Sequence, residues 1–275
     1  MSELYFDENF MPFIASAGDT LPEAYHYALK GLEEHGNIYD CADWNTTQKE
    51  ISLTMRVRHP LKEPRISKLF IGGPKELEQY RMEMLDGILD FEVRKGNWEY
   101  TYHDRMVDYY IDNVIYSPQN HSLNQIDFVV KELKRNPSSR RAVILIRDNS
   151  DDVFEDSPAC LQHIQYFIRD GKLNCHVLFR SNDACKASFM NAFALICLQE
   201  RIAEELGVPV GYYQHTANSY HCYEKDFDML KGYVNRIMDA EDIYDIAYDY
   251  DGDWKEQMEE CRPEILEQVE TLRNQ

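Results

Sequence analysis

The stretch LQHIQYFIRDGKLNCHVLFRS, Leu161 to Ser181, places two apolar, aromatic and β-branched runs on either side of Asp170-Gly171. Asp-Gly between such runs is a strong signal for a two-residue hairpin turn, since both residues tolerate a left-handed backbone. The stretch therefore predicts two antiparallel strands. Pairing about that turn brings Cys160, at the start of the first strand, beside Arg180, at the end of the second.

Working outward, RAVILIRD (141–148) reads as a buried strand by its β-branched content, and SFMNAFALICLQERIAEELG (188–207) as a long central helix packed on the sheet. Upstream, LPEAYHYALKGLEEHG (21–36) and GPKELEQYRMEMLDG (73–87) read as helices, and EISLTMRVRHP (50–60) alternates like a half-buried strand. SLNQIDFVVKELKRNP (122–137) reads as a helix that Ser122 caps and Pro137 stops. PVGYYQHTANSYHCYEKD returns as strand and loop, and two helices follow on an acidic surface. The expected class is α+β, with a mostly antiparallel or mixed sheet flanked by helices.

With 275 residues, 44% of them hydrophobic, the chain can bury a full core. Neither a repeat nor a linker divides it, so residues 1–275 are expected to form a single domain. A net charge of −20 argues against general binding to nucleic acid or an anionic membrane, so an anionic ligand has to be met by a local cluster of arginines. Seven cysteines, an odd number, follow an opening MSELYFDENF that lacks the basic and apolar regions of a leader. The reading is a cytoplasmic protein with reduced thiols. No zinc-type spacing and no membrane-length apolar run occurs.

Four polar clusters sit at strand ends. A single cysteine such as Cys160 is most often a buried filler, but it becomes a nucleophile where a cation favours its thiolate, and Arg180 lies across the hairpin to do so. Arg140 and Arg141, in NPSSRR, are either solvated surface charge or a bidentate grip on a phosphate. His221 and Tyr223, alternating on one strand face, form either a satisfied core pair or a site for sugar hydroxyls. Asn191 is a polar residue on a largely apolar helix. Its amide either takes a helix-terminus partner or reads a nucleobase edge that carries both donor and acceptor. Together these residues suggest covalent attack on a phosphorylated nucleoside.

In that order and spacing, NPSSRR, PACLQ, FRSND followed by MN, and HCY resemble the thymidylate synthase family, including its archaeal-type members and the phage pyrimidine hydroxymethylases. The resemblance implies a thymidylate synthase-like fold. It also implies that Cys160 adds to C6 of a pyrimidine, so that C5 attacks the methylene carbon of 5,10-methylenetetrahydrofolate. Arg180 and Ser181 would hold the substrate phosphate, and Arg140 and Arg141 would reach the phosphate site of the other subunit of a homodimer. His221 and Tyr223 would bind the ribose hydroxyl, Asp183 the pterin, and Asn191 the O4/N3 edge of the base. Tyr102 resembles the tyrosine associated with proton removal at C5, and Glu83 is the candidate for the glutamate that organises water and protons. No metal is implied.

The departures bear on the product. Leu161 stands where the family usually has a histidine, as in archaeal-type members. Ala187 and Phe189 replace the usual Gly and Pro, no RTGT-like phosphate loop is found, NTTQKE sits where one is expected, and ETLRNQ lacks the apolar tail that closes over folate. Asn191 favours uracil, so conversion of dUMP to dTMP is the first expectation. The alternatives are 5-hydroxymethylation of dUMP or a cytidylate, and a non-catalytic nucleotide-binding relative.

Overall fold

The structure is a computed structural model that describes residues 5–7, 11–111 and 122–275. The opening MSELYFDENF, read above as free of a leader, lies outside the described residues except for 5–7. In chain order the strands are β1 (Tyr5–Asp7), β2 (Phe13–Gly18), β3 (Asn37–Cys41), β4 (Thr46–Val57), β5 (Ile66–Ser67), β6 (Tyr109–Tyr110), β7 (Ser122–Leu123), β8 (Val143–Leu145), β9 (Leu161–Arg169), β10 (Lys172–Asp183), β11 (Val210–Tyr223) and β12 (Ala247–Tyr248). The helices are α1 (Leu21–His35), α2 (Pro74–Asp86), α3 (Asp90–Arg94), α4 (Tyr102–Val107), α5 (Gln125–Arg135), α6 (Ser188–Leu206), α7 (Phe227–Asp239) and α8 (Lys255–Arg273).

The main sheet runs β1-β2-β4-β11-β10-β9-β8, with β3 also paired to β4. β9 and β10 are antiparallel, as the Asp-Gly turn requires, and Asp170 and Gly171 sit at φ 52° and 70°. β10 and β11 are parallel, as are β2 and β4, so the sheet is mixed and the fold is α+β. The parallel pair follows from the connection: α6 carries the chain back across the sheet so that β11 runs beside β10 in the same direction.

α6 is buried along most of its length because its apolar residues are not confined to one stripe. Phe189, Phe193, Leu195, Ile196, Leu198 and Ile202 are all at or below 2% exposure. It rests on β10 and β11, α2 packs on α6, and α8 packs on α2. Gly207, at φ 68°, ends it, and its N–H reaches back to the carbonyls of Ala203 and Glu204.

Two local expectations are corrected. The helix expected from Ser122 begins at Gln125, because Asn124 Oδ1 accepts the Asp127 N–H at 2.9 Å and takes the cap, while Ser122 pairs with Tyr110 in a short ladder. The strand expected over 141–148 pairs as a ladder only at Val143–Leu145. Leu145 is 47% exposed, so β-branched composition overstated its burial.

Candidate active site

The strand ends gather the chemistry. Cys160 precedes β9, and its carbonyl accepts the Arg180 N–H at 2.8 Å. The parallel register of β10 and β11 sets Asp183 opposite His221 and Ser181 opposite Ser219. His221 and Tyr223 in turn pair with Glu50 and Gln48 of β4, so the stretch NTTQKE lies beside them. Cys160, Arg180, Ser181, Asp183, His221 and Tyr223 thus share one end of the sheet.

The Arg180 guanidinium donates to the carbonyls of Pro158 and Ala159, at 2.7 and 3.1 Å, and so fixes the chain leading into the cysteine. Burial pushes the Cys160 thiol above its ordinary range, and the Arg180 charge acts against that shift without overcoming it. Burial and the Arg180 charge thus act on the thiol in opposite directions, with burial the larger. Leu161, by contrast, is completely buried in the core.

Asp183 Oδ1 accepts the N–H groups of Cys185 and Lys186, at 3.0 and 2.9 Å, which shapes the turn into α6. Three residues into α6, Asn191 is 4% exposed, and its Oδ1 accepts a hydrogen bond from the Tyr80 hydroxyl of α2. His221 is 3% exposed. Its Nδ1 meets Ser219 Oγ at 3.3 Å while its Nε2 is buried without a partner, and its ring meets that of Tyr223 edge-on at 4.8 Å. Burial holds the His221 imidazole below its usual pKa, so it is neutral near pH 7.

A cavity of about 210 Å³ opens beside these residues, lined by Tyr80, Glu83, Met84, Trp98, Tyr100 and Tyr102 among others. Glu83 is half-buried at its edge. Burial raises its carboxyl pKa, opposed by a hydrogen bond from Gln79 at 2.9 Å. Tyr102 Oη accepts the Leu161 N–H at 3.3 Å, and burial pushes its phenol pKa well up. Below Tyr102, Arg105 ties α4 to the segment before Cys160 through buried ion pairs to Asp148 and Asp152, each at 3.2 Å.

Arg140 and Arg141 do not join this group. Both are exposed, and Arg141 pairs with Glu132 at 3.0 Å, where Ser139 and Arg135 help to pull the carboxyl pKa down to about 2. Ala142 O accepts the Tyr166 N–H, six residues along the strand from Cys160, a separation on the order of 20 Å.

Sequence reasoning missed Tyr80, Tyr100 and the Arg105 cluster. The signal for Tyr80 was its place one helical turn before Glu83, on the same face of α2.

Among the described residues no group of three or more His, Cys, Asp or Glu is placed to hold a metal ion, and no helix is long and apolar enough to cross a membrane.

The thymidylate synthase family model matches residues 70–258. A Methanocaldococcus jannaschii protein described as a candidate thymidylate synthase is 33% identical over 222 residues, covering 78% of this chain and 93% of that relative. A Methanosarcina barkeri protein of the same description is 26% identical over 79% of this chain and 93% of its own length. The thymidylate synthase of Bacillus phage phi3T is 34% identical over 124 residues, 43% of this chain and 44% of that protein. A match spanning the end of the sheet where Cys160, Asn191 and His221 lie, with relatives aligned over nearly their whole length, shows that the chain belongs to the thymidylate synthase family and is an enzyme of methyltransferase type.

Proposed function

We propose that this chain transfers a one-carbon unit to C5 of dUMP, through a covalent bond between Cys160 Sγ and C6 of the base, to give dTMP. The observation that carries this reading is the meeting of Cys160, Arg180, Asn191 and the unpartnered Nε2 of His221 at one sheet end, beside an aromatic cavity. A buried imidazole nitrogen without a partner is costly until a ligand hydroxyl satisfies it. Arg180 and Ser181 hold the phosphate, His221 and Tyr223 the ribose hydroxyl, and Asn191 the base edge.

The cosubstrate is 5,10-methylenetetrahydrofolate, which supplies the carbon and, for a methyl product, the hydride. Aromatic walls at Trp98, Tyr100 and Tyr102 suit a flat heterocycle, and Asp183, whose Oδ1 accepts the N–H groups of Cys185 and Lys186, keeps its other oxygen for ring donors. Tyr102, its phenol kept neutral by burial, holds the water that carries the C5 proton away, and Glu83 orders water at the cavity edge. Cys160 is delivered as a thiolate only in part of the population, so its deprotonation belongs to the cost of the first step.

A second subunit covers the sheet face opposite α6, where Phe167, His176, Leu178 and Tyr212 are half-exposed. It brings its own Arg140 and Arg141 to the phosphate that they do not reach within one chain.

Incubation with dUMP and methylenetetrahydrofolate, followed by mass spectrometry, tests the reading. The expected product is dTMP, lost in Cys160→Ser, and 5-fluoro-dUMP with folate leaves an adduct on Cys160. Absence of both product and adduct refutes it. Hydroxymethylation is the second reading, favoured by a wall residue, Trp98, that is 42% exposed and lets water approach; it gives a product heavier than dTMP by one oxygen.

A further inference from the structure

Tyr80 has no role in any of the foregoing steps, yet its hydroxyl donates to Asn191 Oδ1. The ring is half-buried on the wall of the cavity beside Glu83 and Tyr100, within electrostatic reach of Cys160. Burial pushes its phenol pKa far up, so the hydroxyl keeps its proton at every physiological pH. It is therefore a permanent donor at the nucleophile's end of the site.

A carboxamide can turn over by half a rotation and exchange its oxygen for its nitrogen with little change in shape. The Watson–Crick edges of uracil and cytosine differ by the same exchange. Uracil offers an N3–H donor next to the O4 acceptor, and cytosine an N3 acceptor next to the N4 amino donor. An unconstrained Asn191 reads both. A donor fixed on one side of the amide removes that symmetry, because turning the amide would set its NH₂ against the phenol and leave the phenol proton to find another acceptor away from water.

We infer that Tyr80 is a specificity-determining residue, whose hydroxyl pins the Asn191 amide in the orientation that reads uracil and rejects cytosine. Oδ1 keeps a second lone pair for N3–H, and Nδ2 is left to donate to O4. This rests on the reading of Asn191 as the residue that meets the base. Tyr80 acts through Asn191, as a positioning residue, and forms no bond to the substrate.

The test is the affinity of the purified protein for dUMP and for dCMP, by calorimetry, in the parent and in Tyr80→Phe, with circular dichroism to check folding. The parent is expected to bind dUMP the more tightly, and Tyr80→Phe to lower the dUMP:dCMP ratio by about tenfold, the worth of one lost hydrogen bond. Tyr80→Leu repeats the comparison with different packing, and a ratio that falls in both variants belongs to the hydroxyl. Loss of packing alone weakens both nucleotides together and leaves the ratio in place. A ratio unchanged in Tyr80→Phe, or a parent that prefers dCMP, overturns this inference while leaving nucleotide binding intact. Failure of the parent to bind either nucleotide overturns the reading of the site itself, and this inference with it.

Discussion

The backbone N–H of Leu161 donates to the phenol oxygen of Tyr102 at 3.3 Å, one residue beyond Cys160. The proposed nucleophile and the residue proposed to hold water for the C5 proton are thus linked through the main chain, and mutation separates their roles. In Tyr102→Phe, turnover is expected to fall about a hundredfold or more, the usual scale for losing a group that assists proton transfer, while 5-fluoro-dUMP still labels Cys160. Steady-state kinetics with intact-mass measurement of the adduct checks this. Equal loss of turnover and labelling assigns Tyr102 to the first step instead.

The Cys160 thiol is raised by burial and lowered, less, by Arg180. A raised pKa means that the thiolate appears only at higher pH, so iodoacetamide labelling of Cys160 is expected to rise with a midpoint above the ordinary thiol value of about 8.5. In Arg180→Gln the opposing charge is gone and the midpoint moves higher still. Rates read by peptide mapping between pH 7 and 10 decide it, and a midpoint below 8 is incompatible with burial as the larger effect.

Gly87 ends α2 at φ 61°, and a Cβ there would lie 2.2 Å from His103 Nδ1 and 2.4 Å from Asp90 Oδ2. Those two groups hold each other at 2.6 Å and staple the segment that carries Tyr102. Gly87→Ala combines left-handed strain with a clash and is expected to cost at least about 2 kcal/mol in urea unfolding. It is also expected to lower turnover beyond any loss of folded protein, because Tyr102 moves with its neighbour.

His26 and His215 are buried, and desolvation holds each pKa down to about 3. Neutral His215 is satisfied on both sides: Nε2 donates to Asn182 Oδ1 and Nδ1 accepts from the Tyr213 hydroxyl, each at 3.0 Å. The unfolded chain binds a proton at each histidine below about pH 6.5 and the native chain does not, so stability falls with pH from there towards 3. The slope is up to about 1.4 kcal/mol per pH unit for each histidine. Urea unfolding at pH 7, 6 and 5 measures it. His215→Gln is expected to be less stable at pH 7 with a shallower decline, and an unchanged slope removes His215 as the titrating group.

The sequence showed what its local chemistry determines. The hairpin, and with it the meeting of Cys160 and Arg180, follows from Asp170-Gly171. The long helix follows from its apolar content, and the family from motifs that lie in one stretch. Tyr80 escaped notice because its partner, Asn191, is 111 residues away and only the packing of α2 on α6 joins them. Ser122 lost the cap to Asn124 because two capping residues stood within one turn, and sequence does not rank them. At Cys160 the two opposing effects differ in the same way: adjacency to Arg180 is legible in the chain, whereas the depth of burial depends on the whole fold.

Leu161 has no exposed surface, while Cys160 beside it is half-buried. For an engineer this marks a boundary. Residue 161 belongs to the foundations, and installing a histidine there would bury an imidazole that has no assigned partner. Attempts to redirect the product belong on the cavity wall formed by Glu83, Trp98 and Tyr100, where side chains can be exchanged without reopening the core.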